Sequence, residues 1–359
     1  MIFSKQNLGE LFFVVANLFL FLYLVVGGFL FLSGYYLIII LGAIFFGRFN
    51  LFIFSIILIN LCCMLFFGLL SVNFEFEKLL LYILGFLSSF SYGIYLVSLS
   101  NKVFLTKFVY LLFASYISYF VVRNGFSNIE LFNEIFFGSS RNLVSGVLNL
   151  LLVNIMVSSY FNNKKLSLIY YILNIVLCFV LFGRTGIFIS LFLLVLGLYF
   201  SGKNRFLIGF VSVVFTFIYF FQEKIFLFLD ENTNFGQGLS SPREIIKGEY
   251  INSVQTISDF FWGSNIYNCC SYLATLEYNL HNSFLFMHSR FGFYVFIFNI
   301  FIFIFLAFRA KWFFIFLYFV VVFRYFYDQV GLFSVLDLTL FYVLIAAYFY
   351  QVDKRNFVL

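Results

Sequence analysis

Apolar runs separated by short polar connections make up most of this chain. They cover 11–32, 35–46, 51–70, 79–99, 103–122, 143–161, 167–182, 186–200, 206–222, 283–306, 312–326 and 330–350, twelve in all. A helix needs roughly 20 apolar residues to cross the hydrocarbon of a bilayer, and most of these runs approach that. The run 35–46 is short: it forms either a tight hairpin with the first run across Ser33-Gly34 or a re-entrant piece. The pattern predicts an all-α polytopic membrane protein with about 12 transmembrane helices, a single integral membrane domain over residues 1–359. One long polar interval, Glu223 to Asn282, interrupts it and carries the single proline. Within that interval Ser241-Pro242-Arg243 is a helix start, with serine as cap and proline in the first turn. The helix is expected to run to about Phe261, amphipathic, with Ile245, Ile246, Ile251 and Val254 as its apolar positions. Trp262-Gly263-Ser264-Asn265 then turns the chain.

Composition strengthens the membrane assignment. The chain is 64% hydrophobic and 10% charged over 359 residues, with mean hydropathy +1.06. Soluble domains carry about 25% charged residues, and no interior of this size could hide so much apolar surface. The 63 phenylalanines are read as apolar filler. The first run is too long for a cleavable signal and is expected to open a polytopic protein.

Charge placement tests the topology. With a cytoplasmic N-terminus and twelve spans, both termini lie inside, and the inner side holds Lys5, Arg48, Lys102, Lys107, Lys164, Lys165, Lys203, Arg205, Arg309, Lys311, Lys354 and Arg355. These 12 cations face only two carboxylates, Glu10 and Asp353, whereas the outer side carries 9 cations and 13 carboxylates. That asymmetry is the positive-inside rule. The net charge of +6 is dispersed among short loops, forms no basic face, and gives no reason to expect nucleic acid. The inner connections are simple turns. The outer ones are elaborated: 71–78, 123–141, the turn Gly183-Arg184-Thr185, and the loop 223–282. Function is therefore expected at the outer face. Five cysteines supply neither a disulfide framework nor metal spacing, and no metal or cofactor is expected.

Few residues carry candidate chemistry. Arg184 stands between two apolar runs, flanked by Gly183 and Gly186; it is either an ordinary loop cation or an anion clamp. Arg243 lies just inside a helix start, where free backbone N–H groups also attract anions, or is a solvated charge beside Glu244. His281 stands at a loop-to-helix junction and suits proton transfer, or is an interface histidine; Asn282 or Ser283 can cap the following helix. His288, two turns on, fits packing or pore lining, with Arg290 nearby. Asp328 pairs with Arg324 or another arginine, or is a solvated loop acid; Asp337 lies deeper and has no evident partner. Arg123 and Arg141 border the second outer loop.

Three stretches carry a resemblance. Gly183-Arg184-Thr185-Gly186 divides two spans, the outer loop bears Ser241-Pro242-Arg243, and Trp262-Gly263-Ser264-Asn265 leads to His281-Asn282-Ser283-Phe284-Leu285 with Gly292 beyond. In these the chain resembles the Wzy-type repeat-unit polymerases of bacterial O-antigen and capsular polysaccharide, relatives of the O-antigen ligases. Where those proteins often show Gly-x-Gly before the histidine, this chain has Gly263-Ser264-Asn265. The resemblance implies a multi-pass protein of the bacterial cytoplasmic (inner) membrane. Its implied activity is metal-independent glycosyl transfer at the outer face, with undecaprenyl-pyrophosphate-linked glycans as substrates and a chain-length regulator as a possible partner. It implies that Arg184 and Arg243 stabilise the departing pyrophosphate and that His281 is the base. Asn282, Arg123, Arg141, Asp328 and Arg290 are candidate substrate-binding residues. An O-antigen ligase and a lipid-linked oligosaccharide flippase are the alternatives.

Overall fold

A computed structural model describes residues 5–125, 129–203, 209, 220, 222–224, 242–274, 279–328 and 331–356. All regular structure among them is helical. Among the residues described up to 203 there are eight α-helices: α1 (Lys5–Val26), α2 (Phe29–Phe46), α3 (Leu51–Leu70), α4 (Phe76–Ser98), α5 (Lys102–Asn124), α6 (Arg141–Phe161), α7 (Leu168–Val180) and α8 (Arg184–Phe200). Four short ones follow: α9 (Pro242–Ser253), α10 (Ile257–Trp262), α11 (Ile266–Cys269) and α12 (Ser271–Ala274). The chain closes with α13 (Ser283–Phe291), α14 (Tyr294–Arg309), α15 (Trp312–Tyr327) and α16 (Leu338–Asn356).

Among the described residues, seven helical segments are long and apolar enough to cross a membrane: α1 to α6 and Val335–Asp353; α7, α8, α14 and α15 are apolar but shorter. The run predicted over 206–222 falls almost wholly outside the described residues, as does most of the first part of the polar interval. The central helix is α6, 89% buried over its most apolar window, whereas α3 is 17% buried over its own. The peripheral helices turn apolar side chains such as Leu51, Val122 and Phe308 outward, as lipid-facing surfaces do. Interior polar side chains tie helices together. Asn174 donates to Asn149 at 2.7 Å, Asn149 donates to the Gly186 carbonyl, and Ser158 bonds Tyr342 at 2.8 Å.

Contacts sort the helix ends into two groups. At one end Arg48 pairs with Asp353, the Arg48 backbone bonds Ser98, Asn101 bonds Glu10, Lys102 lies over Phe161 and Lys311 over Tyr350. This is the basic end. At the other, which we call the loop end, Phe137 bonds Leu24, Asn73 bonds Ser264 and Asn282 bonds Phe326. Helices α1 to α8 run alternately between these ends.

Three boundaries differ from the hydropathy pattern. The turn between the first two runs is not at Ser33-Gly34 but at Gly27-Gly28, whose φ values of 79° and 94° suit glycine. Gly34 lies within α2, where its missing side chain makes room for the Phe19 ring. The run 283–306 is not one span. It breaks at Gly292 (φ 53°) into α13 and α14. Asn282 and Ser283 bond the carbonyls of Phe326 and Asp328 at the end of α15, while the Ser289 carbonyl accepts from Ser71 and Asn73 just beyond α3. Thus α13 lies across the loop end, and α14 alone turns into the bundle. The run 330–350 begins helix only at Val335, after Leu332 and Phe333 at positive φ; Asp337 accepts from the backbone N–H groups of Leu332 and Ser334. Those donors and the Tyr325 hydroxyl, which also donates to the carboxylate, are partners of Asp337.

The polar interval folds onto α13. As predicted, α9 starts at Pro242, but it ends at Ser253. Thr256 and Asp259 form a capping box that starts α10 afresh. Only Ile246 of the four predicted apolar positions is fully buried. It shares that face with Tyr250, while Ile245 and Ile251 are exposed. Gly263 turns the chain at φ 88°, as its stretch predicts. The adjacent Cys269 and Cys270 are joined by a disulfide.

At Gly292 a β-carbon would stand 1.8 Å from the Phe261 carbonyl oxygen, and at Gly263 one would stand 2.5 Å from that of His288. Gly292→Ala should therefore abolish most folded yield in detergent, measured by size-exclusion chromatography. Gly248→Ala, with nothing within 4 Å of the new carbon, should be neutral or stabilise by up to about 1 kcal/mol. Equal yields for the two variants would contradict the contact.

Candidate functional site at the loop end

The site grows from the end of α15. Arg324, 1% exposed, pairs with Asp328 at 2.6 Å and donates to the Asn142 carbonyl at the start of α6. A solvated Asp328 was one sequence expectation; the structure instead buries it against Arg324. The approach of Arg324 to α6 requires Gly146, where a β-carbon would meet the guanidinium at 2.5 Å. On another side of α6, Ser145 fills the space left by Gly183 and Gly186. The small residues flanking Arg184 therefore serve close packing of α8 on α6.

Above this buried pair the predicted residues converge. Asn282, buried, donates to the Phe326 carbonyl at 3.1 Å and caps α13 by accepting from Leu285 N–H. Ser283 donates to the Asp328 carbonyl at 2.7 Å. His281 is half-buried at φ 47° and its N–H bonds the Asn279 side chain. A non-glycine residue held left-handed stores roughly 1 kcal/mol or more, and such strain gathers at functional positions. Lys247 of α9 reaches the same Phe326 carbonyl at 3.4 Å and lies over the Tyr327 ring.

Arg184, exposed, is the first residue of α8. Phe188, one turn on, packs on Phe323 of the antiparallel α15, and Phe323 packs on Tyr327. That register carries Arg184 to the level of Tyr327. Lys247 and the His281–Asn282 corner thus meet at the end of α15, over the Arg324–Asp328 pair, and Arg184 starts α8 at the same height of the bundle. Cations outnumber carboxylates here, which suits an anionic ligand such as a phosphate.

Other predicted residues stand elsewhere. Arg243 lies one turn before Lys247 on α9, but its side chain is outside the described residues. Arg141 opens α6 next to Asn142, with its N–H bonded to Asn133. Arg123 is exposed in the last turn of α5.

Arg290 belongs to a second cluster that sequence reasoning missed. It donates to the Asn73 carbonyl at 2.7 Å, to Glu75 at 2.8 Å and to the Tyr267 hydroxyl at 2.7 Å. Partial burial works against the charged form of Glu75, yet hydrogen bonds from Lys78, Tyr267 and Arg290 prevail and hold its carboxyl at about 2. Asn73 bonds the carbonyls of Ser264 and Ser289 and accepts from Ile266 N–H, which locks the short loop onto α11 and α13.

His288 packs at the centre of this cap. Its Nε2 donates to the Phe260 carbonyl, which can only accept, so the neutral ring's Nδ1 accepts from the Tyr250 hydroxyl at 2.8 Å. Burial pushes its imidazole below the ordinary value, and the bond to Phe260 opposes this only in part. His288 is therefore a neutral tie joining α9, α10 and α13. Among the described residues no group of three His, Cys, Asp or Glu is placed to hold a metal ion.

Comparison with protein-family models, curated proteins and solved structures finds no match to this chain.

Arg324→Met alone should cost about 3–5 kcal/mol, because Asp328 is left buried without its charge partner; adding Asp328→Leu should restore most of it. Chemical denaturation in detergent measures this, and equal losses in both variants would remove the pair as an energetic unit. Glu75 has a depressed folded pKa, so its contribution is complete above the ordinary 4.5 and is lost as pH falls through about 2. Thermal melts of Glu75→Gln should lack that acid slope; a slope matching wild type would assign it to other groups.

Proposed function

We propose that this chain polymerises undecaprenyl-pyrophosphate-linked oligosaccharide repeat units at the outer face of a bacterial cytoplasmic membrane. The loop end faces outward, the basic end faces the cytoplasm, and twelve spans include one over 206–222. The observation that supports the proposal is that Lys247 and Asn282 meet at the Phe326 carbonyl at the end of α15, beside His281, with the start of α8 at Arg184 level with that end. These come from the three stretches on which the resemblance rests, or lie one turn from them. The disulfide between Cys269 and Cys270 supports the orientation, since such bonds persist outside the reducing cytosol.

The chemistry follows from the residue types. The imidazole of His281 removes the proton from the acceptor sugar hydroxyl, and the resulting oxygen attacks the anomeric carbon of the growing chain. The bond from that carbon to the pyrophosphate oxygen breaks, and the lipid pyrophosphate leaves with the electron pair. Arg184 and Arg243 neutralise its charge, since guanidinium–phosphate hydrogen bonds are charge-assisted and can be bidentate. With His281 as the one base, and with the Asp328 carboxylate engaged by Arg324, we take the displacement to be direct, inverting the anomeric centre.

The test is deletion in the native host and complementation, with surface and carrier-linked glycans resolved on a gel. Arg184→Ala should collapse the ladder to a single repeat unit while carrier-linked units accumulate outside. Arg184→Lys should retain charge but lose the bidentate fork and most activity. His281→Ala should remove turnover over about pH 5 to 8. Long glycan retained on the carrier would instead indicate a ligase, and units trapped in the cytoplasm a flippase. Full polymerisation by Arg184→Lys would remove the clamp.

A further inference from the structure

A second site lies at the opposite end of the molecule. Where α6 ends, α7 begins, α8 ends and α15 begins, the helices leave a cleft of about 60 Å³. Lys164 and Lys165, both exposed, stand among its lining residues, and no carboxylate does. Ser159 and Tyr171 also line it, only 3% and 5% exposed. Neither hydroxyl hydrogen-bonds to any described residue. Both residues line the cleft without a described hydrogen-bond partner, so their hydroxyls are available as donors and acceptors to something that enters it. The Tyr160 ring, stacked on Phe313 at 4.0 Å, makes one wall rigid and apolar. The close approach of Tyr171 to α8 depends on Gly197, where a β-carbon would collide with the tyrosine hydroxyl.

The surroundings identify the occupant. The helices that form the cleft expose Ile169, Tyr199 and Trp312, at 65%, 55% and 70%, near the same end of the bundle. Trp312 and Tyr199 have the amphipathic rings that settle at headgroup level, and Ile169 offers surface to an acyl chain. An ammonium pair with hydroxyl partners, beside an apolar surface and at a membrane boundary, matches a phosphate attached to two hydrocarbon tails. Basic pockets between helices bind such headgroups.

We propose that this cleft binds the headgroup of an anionic phospholipid from the leaflet at the basic end. The phosphate lies between Lys164 and Lys165, and Ser159 and Tyr171 hydrogen-bond its oxygens. The occupant bridges α6, α7, α8 and α15, so binding joins the central helix to the short helices around it. The proposal is independent of the glycan chemistry at the loop end.

The test uses the full chain reconstituted in bilayers of phosphatidylcholine and phosphatidylglycerol, released into mild detergent, with retained lipid counted by native mass spectrometry. Wild type should retain phosphatidylglycerol in preference to phosphatidylcholine. A lysine near an anionic headgroup is worth about fivefold, so Lys164→Gln with Lys165→Gln should reduce retention by roughly twentyfold or more. Tyr171→Phe keeps shape and charge and should reduce it about threefold, the loss of one modest hydrogen bond. Lys107→Gln, a basic-end lysine that does not line the cleft, should leave retention unchanged and serves as the control for general surface charge. Retention unaffected by the double lysine substitution, or an equal loss in Lys107→Gln, would overturn the site. Complete displacement of phosphatidylglycerol by inorganic phosphate alone would overturn the lipid assignment in favour of a soluble anion.

Discussion

Two stretches of backbone touch at the loop end, and the rest of that surface is arranged around the contact. Gly263 lies on the carbonyls that close α13, and Gly292 lies on the last turn of α10. No side chain separates them. Phe293 N–H bonds the Phe261 carbonyl across the same boundary. Because the two glycines let the chains come this close, α13 is pinned flat over the bundle instead of continuing into α14. Its first turn then meets the end of α15 and its last turn meets the loop after α3. Both the Arg324–Asp328 neighbourhood and the Arg290–Glu75 cluster depend on that placement.

Polar groups above an apolar bundle must be satisfied locally, since irregular backbone next to hydrocarbon has little water to turn to. The protein meets this need with a few multivalent side chains. Asn73 serves two carbonyls and one N–H. His288 joins a hydroxyl and a carbonyl through its two ring nitrogens. Arg290 spans a carbonyl, a carboxylate and a phenol. Such a cap is stiff, and a stiff cap can hold His281 in its left-handed conformation and Asn282 on the Phe326 carbonyl.

Hydropathy was enough to locate most helices, because a segment facing lipid must be apolar on nearly every side. It could not see where a run bends. Residues 283–306 stay apolar through Gly292, and only the contact with Phe261 breaks them. The start of α9 was readable from Ser241-Pro242. Its end was also written in the chain, as Thr256 three residues before Asp259, a capping signal that the extended helix prediction passed over. That Arg184 starts α8 level with the end of α15 had no signal in hydropathy; it follows from the pairing of Phe188 with Phe323. The Arg290–Glu75 pair had no signal, since 215 residues separate its members. Charge placement was informative about which helix ends lie together, because a cation is costly within hydrocarbon.

The Asn73 hub also has a consequence for biosynthesis. Its partners Ser264 and Ser289 come 191 and 216 residues later. At about 5–20 residues per second, roughly 10–40 s pass between emergence of Asn73 from the ribosome and emergence of the groups that satisfy it. During that interval α3 and α4 must already be seated in the bilayer while the turn between them awaits its lid. Sealing the loop end is therefore a late event in assembly. A chain stalled or cleaved before α13 would display an open seam there, recognisable to quality-control proteases although every earlier helix is in place.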